Sequence, residues 1–252
     1  MKNIGNVSCE LIIPETPLKE LKEIERSIQT TYRKEIWSPF VRALKTFTMV
    51  NDGDKIAVAI SGGKDSLLLA KLLQELKRIS STNFDLVFIS MNPGFNIQNI
   101  NTLQNNLNHL NIPCEIYDSK IFEISEMIAK DYPCYICAKM RRGSLYSKAK
   151  SLGCNKLALG HHFDDVVETI MMSILYMSKY ETMLPKLKSD NFENIELIRP
   201  LYFVEERSII NFIKNAGLTP MNCGCTVAAG KTSSKRREVK ELIANLHKND
   251  KD

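Results

Sequence analysis

The chain has 252 residues, a formal net charge of +5, and 44% hydrophobic and 25% charged residues. These values are ordinary for a globular protein with one α/β core, and the modest positive charge does not by itself indicate a partner. No apolar run reaches the ~18 residues needed to cross a bilayer, and the first residues show no signal-peptide pattern, so we expect a cytoplasmic protein without membrane contact.

The predicted elements alternate along the chain. Helical periodicity covers residues 17–49, a buried strand follows at 55–60, and an apolar helix runs through 67–76. Later strands, separated by helical segments, are predicted at 84–90, 114–117, 156–159 and 195–198. The polar segment 179–194 is predicted to be a loop excursion.

Repeated βαβ units predict an α/β fold with a parallel, doubly wound (Rossmann-like) sheet of about five strands and helices on both faces. We divide the chain into three parts. Residues 1–50 are expected to form an N-terminal helical segment and residues 51–220 the α/β domain. Residues 221–252 are expected to form a helical segment with cysteines and basic residues that completes the site of that domain.

The loop Ser61-Gly62-Gly63-Lys64-Asp65-Ser66 joins the first strand to its helix and is typical of a phosphate site. The glycines let the backbone approach a phosphate, and the N-terminus of the helix attracts anions. Ser61 and Ser66 can donate hydrogen bonds, and Lys64 adds positive charge. Asp65 would repel phosphate unless it holds a magnesium ion there. The spacing is not that of a Walker loop, and a tight turn without a ligand is the alternative.

A second polar group follows the strand at 156–159. It contains Gly160, His161 and two aspartates, Asp164 and Asp165, in the first turn of a helix. Carboxyl ends of parallel strands meet at one edge of a sheet, so we expect this group to face the glycine-containing loop. A divalent cation would relieve the repulsion between the aspartates. Two alternatives stay open: an aspartate that only caps the helix, and zinc bound by His161, His162 and Asp165.

Four of the seven cysteines are clustered: Cys134 and Cys137 as C-x-x-C, and Cys223 and Cys225 as C-x-C. In a reducing compartment, clustered cysteines indicate metal ligation or redox chemistry rather than disulfides. Four thiolates would suit structural zinc, whereas three would leave one iron of a [4Fe-4S] cluster open for chemistry.

Two basic clusters follow these cysteines in the sequence. The first contains Arg141 and Arg142, and the second contains Lys235, Arg236 and Arg237. The plain interpretation is a solvated helix surface. The functional interpretation is contact with phosphates of a nucleotide or of RNA, since guanidinium groups bind phosphate in a bidentate way. The two clusters together favour a polyanionic partner.

Four motifs in this order, SGGKDS (61–66), PCYICAKMRRG (133–143), LGHHFDD (159–165) and a late cysteine before a basic helix, resemble those of the PP-loop tRNA thiolases. The resemblance is closest to the tRNA 2-thiocytidine synthetase group. It implies an enzyme that cleaves ATP between the α- and β-phosphates, adenylates a tRNA base and inserts sulfur with the help of a [4Fe-4S] cluster.

The resemblance and the motifs together give expected roles. Catalytic roles are expected for Asp65, Arg141 and Asp165. ATP is expected to contact the loop from Ser61 to Ser66 and, beyond it, Ser90, Met91, Gly160 and His161. Magnesium is expected at Asp65 and Asp164. The cluster is expected on Cys134, Cys137 and Cys225, with Cys223 as the competing third ligand. Contacts with tRNA are expected from Arg142, Lys235, Arg236 and Arg237.

The expected partners are tRNA and a sulfur donor, either a cysteine desulfurase or free sulfide, and a homodimer is left open. Two other functions remain as alternatives. One is a different adenylating PP-loop enzyme, similar to lysidine synthetases, in which the cysteines hold structural zinc. The other is a nucleotide-binding regulator without catalysis.

Overall fold

The computed structural model describes residues 12–119, 121, 133–221 and 234–249. Its strands are β1 (Lys55–Ala59), β2 (Asp85–Asn92), β3 (Cys114–Asp118), β4 (Lys156–Ala158), β5 (Lys186–Lys188) and β6 (Glu196–Ile198). Its α-helices are α1 (Leu21–Gln29), α2 (Ser38–Thr46), α3 (Lys64–Ile79), α4 (Ile97–His109), α5 (Pro133–Ser151), α6 (Phe163–Met177), α7 (Glu206–Ala216) and α8 (Ser234–Asn249). A π-helical turn, Arg33–Trp37, connects to α2.

The six strands form one sheet in the order β3-β2-β1-β4-β6-β5. All neighbouring pairs are parallel except β5 and β6, which are antiparallel. The Rossmann-like α/β prediction is therefore confirmed. The loop prediction for residues 179–194 is wrong at Lys186–Lys188, because these residues form the edge strand that makes six strands instead of about five.

The chain first lays β2 and β3 on one side of β1 and then places β4 on its other side. This reversal leaves a crevice at the carboxyl ends of β1 and β4, which is where ligands bind in open α/β sheets. The loop after β1 and the loop after β4 are the two motif segments. The sheet order thus brings both motifs to one crevice.

The core lies on both faces of the sheet, since successive side chains of a strand point to opposite faces. Ile56 and Val58 of β1 face one core cluster together with the N-terminal helices, α3 and α7, whereas Ala57 and Ala59 face a second cluster with α5. Ile36 and Phe40 of the N-terminal helices are fully buried in the first cluster. The proposed division into three segments remains a prediction.

A buried ion pair fixes the amino ends of the central strands. Lys156, at the start of β4, lies 2.7 Å from Asp54 Oδ2 and donates a hydrogen bond of 2.8 Å to the carbonyl of Met49. Both charged side chains are almost fully buried. The pair ties β4 to the chain that enters β1 and so fixes where their carboxyl ends lie. No described helix is long and apolar enough to span a membrane.

Candidate active site

The loop between β1 and α3 is closed by its two serines. Ser66 Oγ donates to the carbonyl of Gly63 at 2.9 Å and accepts from Ser61 N at 3.2 Å and Ser61 Oγ at 3.1 Å. Gly63 N–H donates to Ser61 Oγ at 3.3 Å. Gly62 has φ +82°, a left-handed conformation that glycine adopts without steric cost. The hydroxyl groups therefore hold the shape of the loop at the N-terminus of α3.

The loop also touches the chain that leads toward the late cysteines. Met221 N–H donates to the carbonyl of Gly62 at 2.8 Å. A Cβ added to Gly62 would lie 2.6 Å from Met221 Sδ, so the methionine side chain covers the face of the glycine. Cys223 and Cys225 themselves lie outside the described residues.

Lys64 is held by two carboxylates. Its Nζ lies 3.1 Å from Asp65 Oδ2 and 3.1 Å from Glu206 Oε1. Burial would lower the pKa of Lys64, but these carboxylates outweigh it and the pKa is raised. For Glu206, burial would raise the pKa, but Lys64 and Lys240 lower it to about 2. Lys64 is therefore charged, and Glu206 of α7 helps to hold its ammonium group in position.

The segment after β4 packs directly on this loop. A Cβ on Gly160 would come within 3.1–3.3 Å of the backbone of Asp65 and Ser66, so glycine allows the two segments to touch. His162 caps α6: its Nδ1 accepts from Asp165 N–H at 3.4 Å, and Asp165 Oδ2 accepts from His162 N–H at 3.1 Å. The sequence motif therefore serves first to start α6 beside the loop.

The two aspartates of this segment have separate structural partners. Asp164 Oδ2 accepts from the N–H of Glu206 at 2.7 Å, and Asp165 Oδ1 lies 2.6 Å from Arg236 Nη2. Burial would raise the pKa of Asp165, but His162, which also donates its backbone N–H to this carboxylate, and Arg236 lower it. Asp165 thus takes part in capping α6, although the N-cap itself is His162, and Asp164 contacts the N-terminus of α7 instead.

His161 and Asp65 lie half-buried next to these charges. Burial lowers the pKa of His161 to about 4, so its imidazole is neutral near pH 7. Burial likewise raises the pKa of Asp65, although Lys64 and His162 act against it. A carboxyl group whose charge is costly to bury is one that a cation would stabilise.

Four buried polar atoms at this edge have no hydrogen-bond partner among the described residues: Asp65 Oδ1, Ser90 Oγ, His161 Nδ1 and Arg199 Nε. They lie near the carboxyl ends of β1, β2, β4 and β6, four strands that are neighbours in the sheet. Unpaired buried polar groups are rare in folded proteins because each is unfavourable by about 1–3 kcal/mol. Their clustering indicates a ligand that pairs with them.

Helix α8 is joined to the crevice by ion pairs. Arg236 lies 2.7 Å from the buried Glu168 in addition to its contact with Asp165, and Lys240 lies 2.7 Å from Glu206. Arg236, which was expected to bind tRNA, is therefore already engaged in two ion pairs. Arg237 pairs with Glu241 on its own helix at 2.8 Å, Lys235 lies 5.0 Å above the ring of Tyr176, and Arg142 is exposed on α5.

The first cysteine pair opens α5. Cys134 and Cys137 lie three residues apart in the first turn of this helix and therefore on one face of it. Arg141 follows one turn later, half-buried. Among the described side chains, no group of three His, Cys, Asp or Glu residues is arranged to hold a metal ion, which gives the zinc alternative at His161, His162 and Asp165 no support.

Sequence reasoning missed two residues of the crevice. Glu206 holds Lys64, and Arg199, buried after β6, donates to the carbonyl of Leu184. Burial and the nearby Arg142 lower the pKa of Arg199 to about 10. Both positions could have been predicted from the sequence, since the chain after the last predicted strand must also emerge at the carboxyl edge of a parallel sheet.

Comparisons with known proteins agree with this site. The PP-loop domain family matches residues 36–222. The tRNA-cytidine(32) 2-sulfurtransferase of Pelobacter propionicus is 38% identical over 209 residues, which cover 81% of this chain and 76% of the relative. The enzyme of the same name from Geobacter sulfurreducens is 39% identical over 221 residues, which cover 85% and 84%.

A solved structure is also similar. The U34-tRNA thiolase NcsA from Methanococcus maripaludis, with its [4Fe-4S] cluster, superposes with a TM-score of 0.66 and 25% identity, covering 84% of this chain and 72% of that one. The family match spans the crevice and both motif segments. The chain therefore belongs to the PP-loop family and, within it, to the family of the tRNA-cytidine(32) 2-sulfurtransferases.

Proposed function

We propose that the protein is an ATP-dependent tRNA sulfurtransferase that converts cytidine 32 of tRNA into 2-thiocytidine. The relatives named above support the reaction and the nucleoside. The observation that carries the proposal for this chain is the set of unpaired buried polar atoms around the PP-loop. Such a crevice can bind a polar substrate that supplies the missing hydrogen-bond partners.

ATP would lie along the carboxyl ends of β1, β2 and β4. Its phosphates would meet the N–H groups of residues 61–66 at the N-terminus of α3, together with Lys64. Its adenine would contact the backbone near Ser90 and Met91, while Gly160 and His161 border the crevice from the side of β4. Ser90 Oγ, which has no hydrogen-bond partner among the described residues, fits this proposal.

Magnesium would be held by Asp65. Its Oδ1 is buried and has no hydrogen-bond partner among the described residues, which fits a carboxylate that shares a divalent cation with phosphate oxygens. Asp164 and Asp165 would assist from the neighbouring segment. Asp164 already accepts a hydrogen bond, and Asp165 already pairs with Arg236. They would therefore bind the cation through their remaining oxygens or through water.

The [4Fe-4S] cluster would be ligated by Cys134, Cys137 and Cys225, with Cys223 as the competing third ligand. The first two cysteines fit, since residues three apart at the start of a helix occupy one face of it. When bound by three thiolates, such a cluster has one iron free to carry the sulfur that is transferred. Met221, two residues before Cys223 in the sequence, is hydrogen-bonded to Gly62 of the PP-loop.

The reaction then follows from charge placement. The O2 oxygen of cytidine attacks the α-phosphorus, pyrophosphate leaves, and sulfide then displaces AMP, which carries away the original oxygen. Lys64 and Arg141 would stabilise the negative charge that develops on the phosphates. Arg142, Lys235 and Arg237 are exposed cations available to tRNA, whereas Arg236 would orient Asp165 while facing the same partner.

The remaining parts of the proposal concern supply, place and assembly. Sulfur would come from a cysteine desulfurase or as free sulfide, and the protein would act in the cytoplasm. A homodimer would be supported by the exposed apolar side chains at the end of α6, namely Ile174, Leu175 and Met177. A lysidine-synthetase-like enzyme with structural zinc is the rival that the experiment must separate.

The test is anaerobic loading with iron and sulfide, then addition of ATP, magnesium and unmodified tRNA, followed by mass analysis of the nucleosides. We expect 2-thiocytidine and released pyrophosphate. Cys134→Ser should abolish thiolation. Cys114→Ser is the matched control, because burial raises the pKa of the Cys114 thiol to about 12 and makes it a poor ligand. Stoichiometric zinc with full activity, or pyrophosphate release without any thiolated nucleoside, would contradict the proposal.

A further inference from the structure

A basic hollow of about 370 Å³ lies on the N-terminal helices, in a part of the molecule that the proposed reaction does not use. Its lining comes from the π-helical turn and α2 and includes Arg33, Trp37, Arg42 and Lys45. No carboxylate belongs to the lining. Three cations around one concave surface form a site for an anion.

Among the described residues, these cations have no counter-charge of their own. Within the described part of the chain, Arg33, Arg42 and Lys45 are exposed and none lies within ion-pair distance of a carboxylate. The cations of α8 behave differently: Arg236, Arg237 and Lys240 all pair with carboxylates. An anion that binds in the hollow therefore does not have to displace an internal partner.

The hollow is also ordered in advance. The guanidinium of Arg42 lies 4.6 Å from the centroid of the Phe203 ring, a cation–π contact that restrains this side chain. Trp37 is buried and forms part of the lining. The backbone N–H of Trp37 donates to the carbonyl of Tyr32, five residues earlier, at 3.2 Å. Such π-helical turns are frequent at functional sites, and this one sets Arg33 beside α2.

The short segment between β6 and α7 contacts both the hollow and the active site. This segment begins with Arg199, whose Nε lies at the crevice and has no hydrogen-bond partner among the described residues. In its middle, the ring of Phe203 contacts the guanidinium of Arg42. At its end, Glu206 forms an ion pair with Lys64. An extended polyanion that reaches the PP-loop crevice can therefore follow this segment to the hollow. A small anion would bind in only one of the two sites, the crevice or the hollow.

We propose that the hollow of Arg33, Arg42 and Lys45 binds the sugar-phosphate backbone of the tRNA that is modified in the crevice. This inference rests on the proposed function, since it assumes that tRNA is the substrate. Guanidinium groups suit phosphate because their planar donors match its oxygens. The contacts read no bases, so they position the tRNA without selecting its sequence.

The experiment measures binding of unmodified tRNA by fluorescence anisotropy over a range of salt concentrations. The variant carries Arg33→Gln, Arg42→Gln and Lys45→Gln together. We expect its affinity at low salt to fall by about tenfold or more, and the slope of log affinity against log salt to become shallower by roughly two to three. Affinity for a non-hydrolysable ATP analogue should stay unchanged, because these residues lie outside the crevice.

The matched control removes the same charge elsewhere, with Lys22→Gln, Arg26→Gln and Lys188→Gln at exposed positions. Unfolding curves of both triple variants and the single variant Arg42→Lys, which keeps the charge and should keep most of the affinity, guard against a folding defect. Equal losses in the two triple variants, or an unchanged slope in the first, would overturn the proposal while leaving the sulfurtransferase function intact. Failure of the unaltered protein to bind tRNA would overturn both.

Discussion

Gly62 combines a left-handed backbone with a close neighbour, so alanine should be unfavourable there for two separate reasons. At φ +82°, a side chain raises the energy of the folded backbone by about 1–2 kcal/mol. Its Cβ would also lie 2.6 Å from Met221 Sδ and push the methionine away. For Gly62→Ala we expect a loss of stability in urea unfolding and a fall in ATP affinity, measured by calorimetry, on the order of tenfold.

Gly53→Ala separates these two effects. Gly53 has φ +80°, but a Cβ there would meet no atom within 4 Å. We expect the same backbone penalty with unchanged ATP affinity. If both alanine variants bound ATP equally well, the contact between Gly62 and Met221 would have no part in shaping the loop.

Glu206 lies between Lys64 of the PP-loop and Lys240 of α8. Glu206→Gln leaves both ammonium groups without this counter-charge, so we expect the free energy of unfolding at pH 7 to fall by roughly 2 kcal/mol. Glu205→Gln is the control, since that exposed carboxylate pairs with Arg207 at the surface and should change stability by less than about 1 kcal/mol.

The stability difference at Glu206 should depend on pH. Its folded-state pKa of about 2 lies below the unfolded value of about 4.3. A carboxylate with a lowered pKa stabilises the fold above its unfolded pKa, and this contribution is lost as the pH falls toward the folded pKa. Urea unfolding at pH 7 and pH 3 should therefore show the two proteins converging at acid pH. A constant difference would mean that the effect is not ionic.

At the scale of elements, the attachment of α8 depends mainly on Arg236. It bridges Asp165 in the first turn of α6 and the buried Glu168 one turn later, and the hydroxyl of Tyr176 donates to Glu238 at 2.6 Å farther along. Arg236→Gln leaves Glu168 buried without its ion pair. We expect roughly 2 kcal/mol less protection of α8, seen as faster hydrogen exchange in residues 234–249.

Arg237 offers the comparison at the next position. Within the described part of the chain it pairs only with Glu241, four residues later on the exposed surface of the same helix, and such pairs contribute about 0.2–0.5 kcal/mol. Arg237→Gln should leave hydrogen exchange of α8 almost unchanged. Unchanged hydrogen exchange of α8 in the Arg236→Gln variant as well would show that α8 is held by its apolar contacts and not by the ion pairs.

Elements with strong local signals could be predicted from the sequence, and β5 could not. The run that forms β1 is apolar and β-branched, which is typical of a buried parallel strand. In contrast, β5 has the sequence Lys-Leu-Lys and no apolar periodicity. It forms because β6 offers a free edge and because Lys186 lies 3.5 Å from Glu196 and donates to the carbonyl of Thr48. These contacts depend on the tertiary structure and not on the local sequence.

At the scale of the whole molecule, the same distinction applies to the site. The PP-loop and the segment from Gly160 to Asp165 are local patterns, and the rule for carboxyl ends of parallel strands placed them together before the structure was known. Glu206 and Arg236 contact them from about 40 to 140 residues away in the sequence. Such partners depend on the order β1-β4-β6 and on the path of α8, which no local pattern encodes.

That strand order has a consequence for synthesis on the ribosome. The half-sheet β3-β2-β1 is made first and is continuous in sequence, so it can assemble while the rest is still being translated. The crevice gains its second wall only with β4, and Lys64 gains Glu206 only after β6 has been made. A nascent chain thus has its glycine-containing loop long before it has a closed nucleotide site, and translation must be nearly complete before ATP meets all of its partners.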